Sequence, residues 1–371
     1  MIYRLLLSCL AVLVASSQTS AQSNSRANRS NLLLFRTASG SVRQITTPAE
    51  WNKRRQQILT GMQQVMGKYP IPNDRPGPSI RIVEEADAGR YIRRLITYQS
   101  EVSPDSSAEN CHTPAYLCIP KDVLAGKRKA AAVLCLHPTD NTVGHKVVVG
   151  LGGRAGRQYA AELAERGYVT ISPSYPHLAN YYPNLGKLGY VSGTMKAIND
   201  NSRAIDLLET LDYVDTSKGV GAIGHSLGGH NAIYTAVFDQ RVSVIASSCG
   251  FDSYLDYYGG AERVWFFGKG WCQIRYMPRL SDYRGRLEEI PYDFHELLAA
   301  LAPRPLFVNA PLHDSNFVAT SVDRCADAAR PVYKLLGDEK NLVIRHPDSN
   351  HNFPDDMRAE AYELIDSVLR P

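Results

Sequence analysis

From residue 157 onward, helical and strand-like runs alternate along the chain, and this alternation restricts the fold more than any other feature. "RQYAAELAERG" (157–167), "TMKAINDNSRAIDLLETL" (194–211) and "GGHNAIYTAVF" repeat apolar residues at helical spacing. Between and after them come "YVTISPSYP", "GVGAIGHS", "RVSVIASSCG", "RPLFVNAP" and "NLVIRHP", then a last helix, "PDDMRAEAYELIDSVLR". The strands are apolar along nearly their whole length, as strands buried on both faces must be. The expected class is therefore α/β, a mostly parallel sheet flanked by helices. Upstream, "TPAEWNKRRQQILTGMQQVMG" predicts a helix over roughly 48–66. Three strand-like runs follow, "RYIRRLITYQ", "PAYLCIP" and "AAAVLCLHP", whose short connections predict antiparallel hairpin pairing. No linker-like stretch divides residues 45–371, so they are read as one domain, with 251–299 as a lid-like, aromatic-rich excursion beyond the sheet's carboxyl edge.

The N-terminus has the layout of a secretory signal peptide over residues 1–21, followed by a polar leader over 22–44 expected to be flexible. The apolar stretch Leu5–Ala15 is too short to span a bilayer, which takes roughly 20 residues. Secretion or a periplasmic location is expected, without stable membrane association. A formal net charge of +4 with dispersed basic residues gives no reason to expect a nucleic-acid partner. Export permits disulfides among Cys111, Cys249, Cys272 and Cys325, whereas Cys118 and Cys135 read as buried thiols. No cofactor or metal site is expected. "HELLA" at 295–299 lacks the second histidine of a zinc helix, and the glycines at 150, 152, 153 and 156 do not have dinucleotide-loop spacing.

The chemistry concentrates in "GAIGHSLGG" (221–229). A sharp strand-to-helix turn brings main chains so close that side chains two places either side of its apex would clash. Gly224 and Gly228 flank Ser226 at that spacing, and the turn lifts the hydroxyl to a helix N-terminus. A serine needs a base, and the base an orienting acid. In the chain order Ser…Asp…His, Asp314 follows a later strand and His351 lies between the last strand and last helix. Asp252 is the rival acid; Asp348 and Asp355 lie too near His351 in sequence. His346 and His313 read as local, His225 as shaping the turn, and His137 as bracing its loop. Oxyanion donors are expected at the N–H groups of Leu227 and of Thr139, the first residue with an N–H after Pro138.

These residues resemble the α/β-hydrolase superfamily, and within it secreted esterases of the acetyl xylan esterase and dienelactone-hydrolase-like type. The resemblance covers roughly 48–371 and rests on "GHSLGGHNA", "LHPTD", "LAPRPLFVNAPLHDSNF" and "HPDSNHNFP". It implies an α/β-hydrolase sheet, Ser226, Asp314 and His351 as nucleophile, acid and base, and Leu227 and Thr139 at the oxyanion. Pro138 departs from the glycine usual after the loop histidine. The expected activity is serine esterase on short-chain acyl or acetyl esters, with a small-molecule or carbohydrate ester as substrate, and Trp271 and Tyr276 as candidate sugar-stacking rings or lid core. The alternatives are a prolyl-oligopeptidase-like peptidase, which the short N-terminal region disfavours; a glucuronoyl esterase, whose opening helix "TPAEWNKRRQQI" resembles but whose nucleophile turn differs; and a non-catalytic binding protein.

Overall fold

The structure is a computed structural model in which residues 28–37, 39–70, 77–101 and 111–370 are described. The expected signal peptide and residues 22–27 of the leader lie outside them. From Asn28 onward the expected flexible leader is in fact attached. Leu32 is buried, Arg29 pairs with Asp293 at 2.6 Å, and β1 (Leu34–Arg36) and β2 (Val42–Gln44) form a hairpin. Helix α1 (Pro48–Met66) starts at a capping box, with Thr47 and Glu50 satisfying each other's backbone N–H groups.

Ten strands form one sheet. They are β3 (Ile80–Asp87), β4 (Tyr91–Gln99), β5 (His112–Pro120), β6 (Ala130–Leu136), β7 (Val169–Pro173), β8 (Val214–Asp215), β9 (Val220–His225), β10 (Val242–Ser248), β11 (Leu306–Asn309) and β12 (Leu342–Arg345). Their order is β12-β11-β10-β9-β6-β7-β5-β4-β3, with β8 beside β6. Pairing is parallel from β7 through β12 and antiparallel from β7 back to β3. The expected hairpin holds for β4 and β5 but not for β5 and β6, because β7 lies between them. Skipping one strand takes only about 10 Å. The link through α2 (Lys121–Leu124) reaches that far, so a short connection did not require adjacency.

Along β6, alternate side chains serve two cores. Leu134 and Leu136 join Met195 and Ile198 of α4 (Gly193–Thr210) and Ile233 of α5 (Leu227–Phe238); Val133 and Cys135 join Leu163 of α3 (Tyr159–Glu165) and Ile365 of α8 (Asp355–Leu369). Helices α6 (Phe294–Leu301) and α7 (Ala319–Leu336) complete the first face. All six described cysteines are free thiols, so the four that could have paired do not.

The excursion after β10 is a chain of short 3₁₀ turns between Tyr257 and Glu289. It is packed into the body of the protein rather than laid over it as a lid. Tyr254, Trp265 and Tyr292 are buried, and the phenols of Tyr234, Tyr254 and Tyr292 hydrogen-bond one another. The N-terminus of α4 grips its 274–276 segment. Gly193 N–H donates to Ile274 O at 2.9 Å, Thr194 N–H to Tyr276 O at 3.2 Å, and the Tyr175 hydroxyl to Arg275 O at 2.9 Å. A β-carbon on Gly193 would overlap the Arg275 carbonyl. Gly193→Ala is therefore expected to destabilise the fold by about 1–3 kcal/mol through overpacking. Gly186, with only a side-chain oxygen 3.7 Å from such a carbon, is the control. Chemical denaturation of both alanine variants checks this, and equal stability would contradict it.

Candidate active site

Ser226 sits between the end of β9 and the start of α5 at φ 56 and ψ −121. A left-handed φ is costly for a residue with a β-carbon, about 1–3 kcal/mol, and persists only where packing enforces it. The enforcement is visible on both sides. A β-carbon on Gly224 would run into the backbone of Gly228, and one on Gly228 into the carbonyl of Leu136 at the end of β6. The Ser226 N–H donates to Ser248 O at 2.7 Å, tying the turn to the neighbouring strand end. Leu227 N–H is the first of α5 and has no acceptor within the helix, which leaves it free for a negative charge.

Asp314 lies in the loop after β11 and His351 in the loop after β12. His351 Nδ1 is 2.9 and 2.8 Å from the two carboxylate oxygens of Asp314. Asp314 Oδ1 also accepts the N–H groups of Asn316 (2.8 Å) and Phe317 (3.3 Å), which fix the carboxylate from behind. With Nδ1–H donating to Asp314, Nε2 is the ring atom left to accept a proton. Ser226 and His351 line one cavity of about 840 Å³, together with Leu227 and Thr139.

The rival groups are engaged elsewhere. Asp252 accepts the Val318 N–H at 3.1 Å, Asp348 meets His313 at 2.7 Å, and Asp355 pairs with Arg358 at 2.9 Å. His346 bridges Ala310 O and Asp323. His137 accepts the Tyr175 N–H through Nε2 at 3.0 Å, so its Nδ1 carries the proton given to Pro138 O at 2.8 Å. It braces the loop that carries Thr139. His225 contacts Ser248 Oγ at 3.0 Å, and its ring lies 4.9 Å from that of His351.

Trp271 and Tyr276 line the cavity but are each only 6% exposed. Trp271 is stacked on His230 with ring centroids 4.2 Å apart, and Tyr276 OH contacts Thr139 Oγ1 at 3.1 Å. These two rings are wall and core at once. The exposed ring is Tyr258, 41% accessible and hydrogen-bonded to Asn316. The sequence reading did not single it out, nor did it single out Arg157, whose guanidinium lines the same cavity and donates to Asn352 Oδ1 at 2.8 Å. Only the count of tyrosines near residue 258 hinted at the first; nothing local pointed to the second.

Among the described residues, Cys249, Asp314 and His351 place one ligand atom each within 4.8 Å of one another, the donor types that suit zinc. A metal bound through Nδ1 would displace the proton whose hydrogen bond to Asp314 orients His351. Burial also pushes the Cys249 thiol well above its usual range, holding it protonated.

A family model described as "Glucuronyl esterase, fungi" matches residues 190–337, a span that holds Ser226 and Asp314 and ends before His351. The 4-O-methyl-glucuronoyl methylesterase 1 of Wolfiporia cocos (strain MD-104) is 28% identical over 190 residues, which are 45% of this chain and 44% of that protein. Carbohydrate esterase MZ0003, from an unknown prokaryotic organism, is 27% identical over 190 residues, 48% of this chain and 42% of that one. The chain thus spans less than half the length of these relatives. Among solved structures, a glucuronoyl esterase from Solibacter usitatus superposes with a TM-score of 0.66 at 22% identity, over 92% of this chain and 97% of that one. A carbohydrate esterase family 15 glucuronoyl esterase from Caldicellulosiruptor kristjansonii gives 0.67 at 17% identity, over 92% and 90%. The fold is that of the α/β-hydrolases, as the motifs led one to expect.

Protonation links the site to stability. Burial pushes His137 down to about 4, His145 and His230 to about 3, and His225 well below its ordinary value. Burial, with carboxylates nearby, pushes Asp252 up to about 8. Below about pH 6.5 the unfolded chain protonates histidines that the folded protein keeps neutral, so stability falls as pH falls. Asp252 acts in the opposite sense from about pH 4 to about 8, where the folded state holds a proton the unfolded state has released. Each group contributes at most about 1.4 kcal/mol per pH unit, and several histidines outweigh one carboxyl. Urea unfolding is expected to show stability dropping from pH 6.5 to 4.5, and Asp252→Asn to remove a decline between 6.5 and 8. Constant stability across the acid range would contradict the buried neutral histidines.

Proposed function

We propose that this protein is a serine esterase acting on carbohydrate esters. Ser226 Oγ attacks the ester carbonyl while His351 Nε2 takes its proton; Asp314 holds the imidazole and stabilises it once charged. The oxyanion is received by the N–H groups of Leu227 and Thr139. Collapse expels the alcohol, which takes the proton from His351. Water then repeats the sequence on the acyl-enzyme, releasing the acid and restoring Ser226. The observation that carries this reading is the bond from His351 Nδ1 to both oxygens of Asp314, in the same cavity as a serine held at φ 56.

The partial family match and the names of the relatives favour an ester in which the carbonyl belongs to a sugar acid, a uronoyl ester. An acetyl group on a saccharide hydroxyl is the second reading, carried by the resemblance of "LHPTD" and "LAPRPLFVNAPLHDSNF" to acetyl xylan esterases. The signal-peptide layout supports export to where such polymers occur. Among the described residues no helix is long and apolar enough to cross a membrane.

Hydrolysis of a benzyl glucuronate ester, an acetylated xylo-oligosaccharide and an aminoacyl anilide distinguishes uronoyl esterase, acetyl esterase and peptidase. On the substrate that is turned over, Ser226→Ala and His351→Ala are expected to lose about 10⁴-fold or more in kcat. Asp314→Asn should lose about 10³–10⁴-fold by misorienting the base. A larger loss in Asp252→Asn than in Asp314→Asn would move the acid to Asp252.

A further inference from the structure

The cavity that holds Ser226 and His351 is lined by four permanently cationic side chains, Arg154, Arg157, Arg263 and Lys269, against a single lining carboxylate, Asp140. Asp140 is occupied: its Oδ1 accepts the N–H groups of Thr142 and Val143 at 2.8 and 2.6 Å. Asp314, behind His351, is committed to the imidazole. Glu262, next to Arg263 in sequence, pairs with Arg284 at 2.7 Å. None of the four cations forms a salt bridge with a carboxylate among the described residues.

Arg157 is the most telling. Its side chain is buried, with the residue only 4% exposed, and its hydrogen bonds go to neutral acceptors: Asn352 Oδ1 at 2.8 Å, and the carbonyls of His351 and Gly156 at 3.4 Å. A guanidinium removed from water without a counter-charge is expensive to keep. Burial also draws its proton affinity below the ordinary arginine value. Three carbonyl-type acceptors explain how its N–H groups are satisfied, but they leave the charge uncompensated. Placed on a cavity wall, that charge is available to an anion entering with the substrate, and a planar fork of N–H donors suits a carboxylate. Arg154, Arg263 and Lys269 are exposed, and as lining residues of the same cavity they add field of the same sign.

We propose that the carbohydrate ester hydrolysed here carries a second, free carboxylate, held by Arg157 with Arg154 and Lys269 beside it, so that the preferred substrate is an ester of an acidic oligosaccharide rather than a neutral one. This rests on the esterase reading for the scissile bond, but the anion site can be measured without turnover. A merely structural Arg157, bracing the His351 loop through Asn352, would give no preference for an anionic ligand.

The experiment uses the full chain carrying Ser226→Ala and measures calorimetric binding of trigalacturonate and of neutral galactotriose. Trigalacturonate is expected to bind at least about tenfold more tightly at low salt, with the advantage shrinking as ionic strength rises. Arg154→Gln/Lys269→Gln, both at exposed positions and so without risk to folding, should cut the ratio of the two affinities by about tenfold. Arg157→Gln should abolish the preference. Equal binding of the two trisaccharides, or a ratio unchanged in the double variant, overturns the inference. The wild-type enzyme supplies the second arm, comparing kcat/KM for singly acetylated or methyl-esterified trigalacturonate with that for singly acetylated galactotriose. Hydrolysis without preference retires the anion site and leaves the esterase standing. Selective binding with no hydrolysis of these esters, nor of the benzyl glucuronate and acetylated xylo-oligosaccharide above, retires the esterase and leaves the anion site.

Discussion

The backbone of Gly228 lies so close to the carbonyl of Leu136 that no β-carbon fits between them, and the rest of the site is built on that contact. It presses the first turn of α5 against the end of β6, the strand whose continuation is the His137–Pro138–Thr139 loop. The two N–H groups proposed to receive an oxyanion come from opposite sides of this junction. The same Leu136 carbonyl accepts the hydroxyl of Tyr159, which ties α3 to the junction from the opposite face. Ser226 takes a left-handed conformation because the alternative would separate these elements. The conformational cost is local, whereas the cavities opened by relaxing the turn would be shared by both cores.

A second constraint holds the histidine loop. Asn309, at the end of β11, gives its amide hydrogens to Ser248 Oγ at 2.8 Å and to Asn352 O at 2.9 Å. Arg157 reaches Asn352 from the other side. The strand ends of β10 and β11 and the approach to α3 thus meet in one buried polar cluster, next to His351. Polar groups in such a cluster are costly if any partner is lost. That makes the position of His351 a property of the whole sheet edge rather than of its own loop.

The parts of this site that were legible in the sequence are those whose signal is local. "GHSLGG" declares its turn because glycine spacing follows from backbone clearance within five residues, and Asp314 and His351 are picked out by lying in the loops after successive strands, with His346 set aside because it directly ends its strand. The order of β5, β7 and β6 was hidden, since link length bounds a distance and not a neighbour. Helix α7 was obscured by Pro331 within it, and β3 by lying exposed at an edge with a register shift between Ile82 and Glu84. The density of aromatic residues in 251–299 was readable, but not which rings are spent on the core. Trp271 is held by His230, 41 positions before it in the chain. Arg157 was invisible for the same reason, because its partner Asn352 is 195 residues away.

The strained turn is proposed to present Ser226 as an activated nucleophile. The most direct measurement of this is intact-mass and peptide mapping after exposure to a small fluorophosphonate, which phosphonylates only a serine whose proton is removed by a positioned base. One adduct is expected, on Ser226, absent from Ser226→Ala and formed far more slowly in His351→Ala. An unmodified but folded protein, or an adduct on another residue, would contradict the account.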